Sequence, residues 1–142
     1  MATIRELSTE ADWIAAYPVM NQLRKHLTQE EFLELVKEAA ATEGYKLAAL
    51  YKEERIVAVT GFMPMLTLYN GRFIWVCDLV TDSNERSKGY GDKLLCYVER
   101  WAKERDYEIV SLSSGLQRLD AHRFYEKKMD YKKKSFVFLK EL

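Results

Sequence analysis

Phe73-Ile74-Trp75-Val76-Cys77 is apolar on both faces of a strand, and the glycine-bearing loop and helix after it leave few options for the fold. A strand apolar on both sides belongs inside a sheet that is covered above and below. The strand, Arg72 to Thr81, runs into a polar loop with glycines at positions 89 and 91. From Tyr90 the period becomes helical. Leu94, Leu95, Val98, Trp101 and Ala102 share one face, opposite Lys93, Arg100, Lys103 and Glu104. Ile109 to Leu112 is again a short buried strand. Strand, amphipathic helix and strand at this spacing make a βαβ unit, whose parallel crossover is right-handed in nearly all cases.

The rest of the chain must be built around that unit. Ala2 to Leu7 is a short strand pattern, and Ser8 or Thr9 caps a helix carrying Trp13, Ile14, Tyr17, Met20 and Leu23 at helical spacing. Pro18 falls inside it and should break or bend it. Thr28-Gln29-Glu30-Glu31 is a capping box opening a second helix, with Phe32, Leu35, Val36 and Ala39 inward and Gly44 as its stop. Tyr45 to Tyr51 and Ile56 to Tyr69 read as strands joined by a charged turn, Lys52 to Glu54. Asn70-Gly71 is a strong hairpin signal leading into the central strand. Leu119 to Lys128 reads as a helix and Tyr131 to Leu139 as a final strand. The order β-α-α-β-β-β-α-β-α-β predicts an α+β (α/β) fold: a mixed, mostly antiparallel sheet of six or seven strands with about four helices. No repeat, linker or low-complexity tract divides residues 1–142, so a single domain is expected.

Composition narrows the class of function. Apolar residues make up 48% of the 142 positions, enough for a core and too many for a disordered chain. Lys plus Arg and Asp plus Glu balance at 22 each, which argues against general nucleic-acid or membrane-surface binding. Residues 113–142 nevertheless hold eight basic against four acidic residues, including Lys132, Lys133 and Lys134, so the rest of the chain is net acidic. Two cysteines do not make a disulfide framework, no apolar block looks like a leader or a span, and a soluble cytoplasmic protein is expected. No His/Cys/Asp cluster has metal-ligand spacing, and no metal is expected.

The loop Asp82-Ser83-Asn84-Glu85-Arg86-Ser87-Lys88-Gly89-Tyr90-Gly91-Asp92 carries the most specific chemistry. Glycines at the start of a helix let backbone N–H groups converge and let a ligand approach with no Cβ in the way. The helix end adds unpaired donors and about half a positive charge, so the turn suits an anion. It is neither a Walker loop nor a dinucleotide fingerprint, because the lysine and third glycine those need are absent.

Arg86-x-x-Gly89-x-Gly91, after Asp78-Leu79-Val80-Thr81 and before a Leu-Leu helix, resembles the acetyl-CoA loop of the GNAT superfamily of N-acetyltransferases. Ala121-His122-Arg123-Phe124-Tyr125-Glu126-Lys127 is similar to the Phe-Tyr helix those enzymes carry before their last strands, and the element order is also theirs. The resemblance covers essentially the whole chain. It implies acetyl-CoA as co-substrate, with the backbone of Leu79, Val80 and Thr81 along the pantetheine arm. Arg86, Ser87, Lys88, Gly89, Tyr90, Gly91 and Asp92 would wrap the pyrophosphate. It also implies a general acid at Tyr125 and an N–H at Leu79–Val80 for the carbonyl oxygen. Arg118 stands where many relatives place an Asn against the cofactor. Met129-Asp130-Tyr131 replaces the usual Leu-Gly-Phe, a turn that Asp tolerates. A seventh strand is missing or is supplied by a partner chain, as in a homodimer.

Other side chains have two readings. Asp78, the acidic residue of the central strand, either relays a proton from the acceptor or only hydrogen-bonds in the sheet, and it needs a partner or water. His122 is a base candidate on its titration range, or a structural helix residue. Cys77 and Cys96 read as packing residues. The function implied is transfer of an acetyl group to a primary amine, small molecule or protein amino group. The alternatives are a CoA-binding regulatory module without turnover and, more weakly, a nucleic-acid protein using Lys132–Lys134. The acceptor itself is not legible.

Overall fold

The computed structural model describes residues 2–142. Five strands and four helices succeed one another as β1 (Ala2–Leu7), α1 (Glu10–Leu23), α2 (Gln29–Thr42), β2 (Lys46–Lys52), β3 (Arg55–Thr67), β4 (Gly71–Thr81), α3 (Tyr90–Glu104), β5 (Val110–Leu112) and α4 (Leu119–Arg123). The sheet order is β1-β2-β3-β4-β5, the first four strands antiparallel. β5 joins beside β4 after the crossover through α3, with the Ile74 N–H donating to the Ile109 carbonyl at 3.0 Å, and completes a mixed sheet. Two compact units divide the chain, the first ending at Ser111 and the second spanning Leu112–Leu142.

Local chemistry explains the elements of the first unit. Thr9 and Thr28 both form complete capping boxes, with Asp12 and Glu31 as the returning carboxylates. Helix α1 runs unbroken through Pro18, against expectation. A proline removes one backbone bond, and burial of Ala16, Val19 and Met20 on the sheet outweighs that loss. Gly44 ends α2 with φ +73°, and Gly71 turns the hairpin with φ +71°. The core joins Val19, Met20, Phe32 and Val36 from the helices to Leu47, Ala49 and Val59 from the sheet. On the opposite face Tyr90 and Leu94 of α3 pack on Leu50, Val57 and Ala58. The charged β2–β3 turn bends through Glu53 and Glu54, both with positive φ.

A second expectation fails among the described residues. The sheet has five strands, not six or seven, because Tyr131–Leu139 forms no strand. Phe136, Val137, Phe138 and Leu139 are all exposed. β propensity describes a fit to a pleated, half-buried surface, and without a partner ladder it produces no strand. The second unit instead holds α4 and a π-type turn, Phe124–Lys128. Asp130 takes φ +60° there, and the Tyr131 N–H returns to the Tyr125 carbonyl at 2.8 Å, so Asp does serve the turn in place of glycine.

Candidate active site

The loop between β4 and α3 is tied down from both sides. The Asp82 N–H donates to the Val57 carbonyl, and Asp82 Oδ1 accepts from the Asn84 N–H at 3.1 Å. Gln22 of α1 braces the same turn, accepting from the Ser83 N–H at 2.9 Å and donating to Asp82. The Asn84 bond holds the Asp82 carboxyl below the usual carboxylate range. Ser87 and Gly89 then take φ +64° and +80°, which turns the chain back into α3.

That geometry suits a phosphate. Gly89 is the N-cap of α3 and, as a glycine, brings no capping side chain of its own. The N–H groups of a helix's first turn have no acceptor within the helix, so this end suits an anion. A Cβ at Gly89 would meet no protein atom within 4 Å, so the space over the turn is open to a ligand. Arg86 and Ser87 are exposed beside it, while Tyr90 is buried and anchors the first helical turn. Asp92 lies one turn along, accepting from the Cys96 thiol at 3.3 Å.

Glu85, within the same loop, is buried. Its Oε2 is 3.3 Å from Lys88 Nζ, and its Oε1 is 3.6 Å from Lys52 Nζ and 3.7 Å from Arg55 Nη2. The hydrogen bond from Lys88, with the charges of Lys52 and Arg55, holds the Glu85 carboxyl below its ordinary value. Three cations thus surround one carboxylate at the root of the loop.

Asp78 has the partners that a carboxylate in an apolar strand requires. Arg24, the residue capping the end of α1, donates from Nε to Asp78 Oδ1 at 2.8 Å and from Nη2 to the Cys77 carbonyl at 2.8 Å. Tyr45 donates its hydroxyl to Asp78 Oδ2 at 2.6 Å. Burial, with Asp78 beside it, holds the Tyr45 phenol well above its ordinary value, so it stays a donor. Tyr45 crosses the sheet at Gly61, where a Cβ would overlap its hydroxyl and lie 2.8 Å from Asp78 Oδ2. β4 passes Gly61 with a register shift between Gly61 and Phe62. The strand continues directly as Leu79, Val80 and Thr81 into the loop. β5 is only three residues long and cannot accompany β4 to its end.

In the second unit, Tyr125 sits in the π-type turn, 8% exposed, against Phe124 and Tyr131. Burial raises its phenol, an effect the Arg118 charge partly offsets. His122 contacts the Gly115 carbonyl through Nε2 at 2.8 Å. Arg118 is the N-cap of α4 and makes no side-chain cap bond. In the first unit the Cys77 thiol is pushed up to about 12 by burial and Asp78, which suits a packing residue. Among the described residues no group of three His, Cys, Asp or Glu could hold a metal, and no helix is long and apolar enough to cross a membrane.

The model of the acetyltransferase (GNAT) family matches residues 9–131. The uncharacterised N-acetyltransferase YhdJ of Bacillus subtilis (strain 168) is 41% identical over 140 residues, 99% of each chain. A transcriptional regulator from Bacillus halodurans C-125 is 26% identical, with a TM-score of 0.82 over all of both chains. An aminoglycoside N-acetyltransferase in complex with CoA has a TM-score of 0.87 over 99% of this chain and 95% of its own, at 10% identity, a likeness of fold.

Proposed function

Because the chain belongs to the acetyltransferase (GNAT) family, we propose that it moves an acetyl group from acetyl-CoA to a primary amine by direct attack. The observation that carries this reading is the N-terminus of α3 opened by the left-handed Gly89, over which no protein atom stands where a Cβ would lie. It lies in the same continuous strand–loop–helix segment as Asp78. Arg86 to Asp92 would hold the pyrophosphate, mainly by backbone N–H groups, with Arg86 and Lys88 supplying charge. Leu79 to Thr81 would lie along the pantetheine arm, since β5 leaves the end of β4 uncovered. Acetyl-CoA supplies the acyl group and a thiol leaving group.

The chain's own residues then have three tasks. Asp78, fixed by Arg24 and Tyr45, receives the proton lost by the acceptor nitrogen, directly or through a water. An N–H at Leu79–Val80 stabilises the carbonyl oxygen as it gains charge. Tyr125 returns a proton to the departing sulfur. Its phenol keeps its proton at neutral pH, so the proton is in place when the sulfur leaves. His122, engaged with the Gly115 carbonyl, is left to orient the loop before α4. Residues 1–142 are read as one acetyltransferase domain.

Thermal denaturation with and without acetyl-CoA, combined with free-thiol release on a panel of amines, tests the reading. At a hundred times its dissociation constant a ligand adds about 2.7 kcal/mol. Stabilisation without thiol release would reassign the protein as a CoA-binding module, and no stabilisation at millimolar ligand would reject the site.

A further inference from the structure

A cleft of about 370 Å³ opens between the end of α1, helix α2 and the middle of β4, with Asp78 and Arg24 at its polar end. The other walls include Met20, Leu27, Phe32 and Leu35. Leu35 is 54% exposed although it stands on the apolar side of α2 beside Phe32 and Val36, so an apolar surface faces the opening. We propose that this cleft takes the acceptor, and that the acceptor is a small primary monoamine with an apolar body, an arylalkylamine or a longer alkylamine, and not a polyamine. The inference rests on the acetyl-transfer reading above and adds the class of amine to it.

Charge counting excludes the polyamines. Asp78 is the carboxylate among the residues lining this cleft, and the Arg24 guanidinium 2.8 Å away already balances it. One amino group can lose its proton toward that carboxylate. A second or third ammonium on the same molecule would find no acidic partner and would face Arg24, a repulsion inside a partly desolvated site. The volume lies near the lower end of small-ligand clefts, which fits one ring or a short chain. The reaction balances simply. The amine nitrogen forms a bond to the acetyl carbon as the carbon–sulfur bond breaks. The nitrogen gives up one proton toward Asp78, and the sulfur leaves as CoA thiol after gaining one.

Thiol-release kinetics on the intact protein test this with straight-chain amines from ethylamine to hexylamine, 2-phenylethylamine, putrescine and spermidine. Each methylene buried in the cleft should raise kcat/KM about fourfold, from its transfer free energy, until the walls are filled. Phenylethylamine should exceed ethylamine by at least tenfold, and both polyamines should fall below butylamine. Leu35→Asp, at a half-exposed position, should lower kcat/KM for phenylethylamine about tenfold through KM. Its effect should shrink as the amine shortens, and Leu35→Ser should lie between. Putrescine or spermidine turned over better than butylamine would overturn the proposal, as would a flat alkyl series or a Leu35→Asp enzyme with unchanged phenylethylamine kinetics. If no amine releases thiol at all, the acetyl-transfer reading falls and this inference falls with it.

Discussion

The Tyr45 hydroxyl and Asp78 Oδ2 lie 2.6 Å apart, and they meet because residue 61, on the strand between them, has no side chain. The carboxylate of β4 is thus set by a phenol from the start of β2 and a guanidinium from the end of α1. Gly61→Ala should force Tyr45 off Asp78 and cost about 1–3 kcal/mol, as overpacking does. Tyr45→Phe keeps the ring and removes one bond to a charged group, about 1.5–3 kcal/mol. The double variant should cost less than the sum of the two, since both break the same contact. Urea midpoints of the three proteins check it.

Gly89 tests the phosphate turn. Its φ of +80° costs an alanine about 1–2 kcal/mol, although no protein atom obstructs the new Cβ. Gly89→Ala should therefore fold with reduced stability. Its Cβ would point into the space reserved for the ligand, so acetyl-CoA should stabilise the variant far less than the parent. Equal ligand-induced shifts in melting temperature would move the pyrophosphate elsewhere.

Tyr125→Phe separates chemistry from packing. Loss of the acid should lower kcat by roughly 10²-fold or more while the acetyl-CoA dissociation constant stays nearly unchanged. Turnover at the parental rate would leave protonation of the thiolate to water.

Glu85 makes stability depend on pH in a defined direction. Its carboxyl sits lower in the folded chain than in the unfolded one, chiefly through the Lys88 hydrogen bond, so the folded state binds fewer protons as the pH falls through the ordinary carboxylate range. The stabilisation is present in full at neutral pH and is lost progressively below about pH 5. Glu85→Gln should be less stable than the parent at pH 7, and the gap should close in acid. Guanidinium titrations at both pH values report it, and a gap independent of pH would assign Glu85 to packing.

Much of this arrangement is legible in the sequence because it is local. Thr28 with Glu31, the Asn70-Gly71 turn and the stop at Gly44 each depend on neighbours within four residues. The βαβ unit comes from an apolar run and a helical period. The loop proposed to hold the pyrophosphate is legible for the same reason, since Gly89 and the start of α3 are adjacent. What escapes is long-range. That Asp78 needs a partner is evident from its apolar strand, but Arg24 is 54 residues away and Tyr45 33, and neither stands out until the helices cross the sheet. The burial of Glu85 is not legible either, because Lys52 and Arg55 reach it from a turn 30 or more residues earlier. Tyr131–Leu139 is misread for the converse reason: its residues suit a strand, but pairing requires a neighbour that composition cannot supply.

The bare C-terminal segment has a practical consequence. Ser135-Phe136-Val137-Phe138-Leu139 is short, uncharged and free of proline, the composition that nucleates cross-β stacking when it lies open to other chains. Lys132, Lys133 and Lys134 precede it and Lys140 comes directly after, so like charges gather wherever two such segments approach. These lysines act as gatekeepers. Their repulsion weakens as salt shortens the screening length, so the lysine triplet bears directly on how concentrated a solution of this neutral chain stays clear.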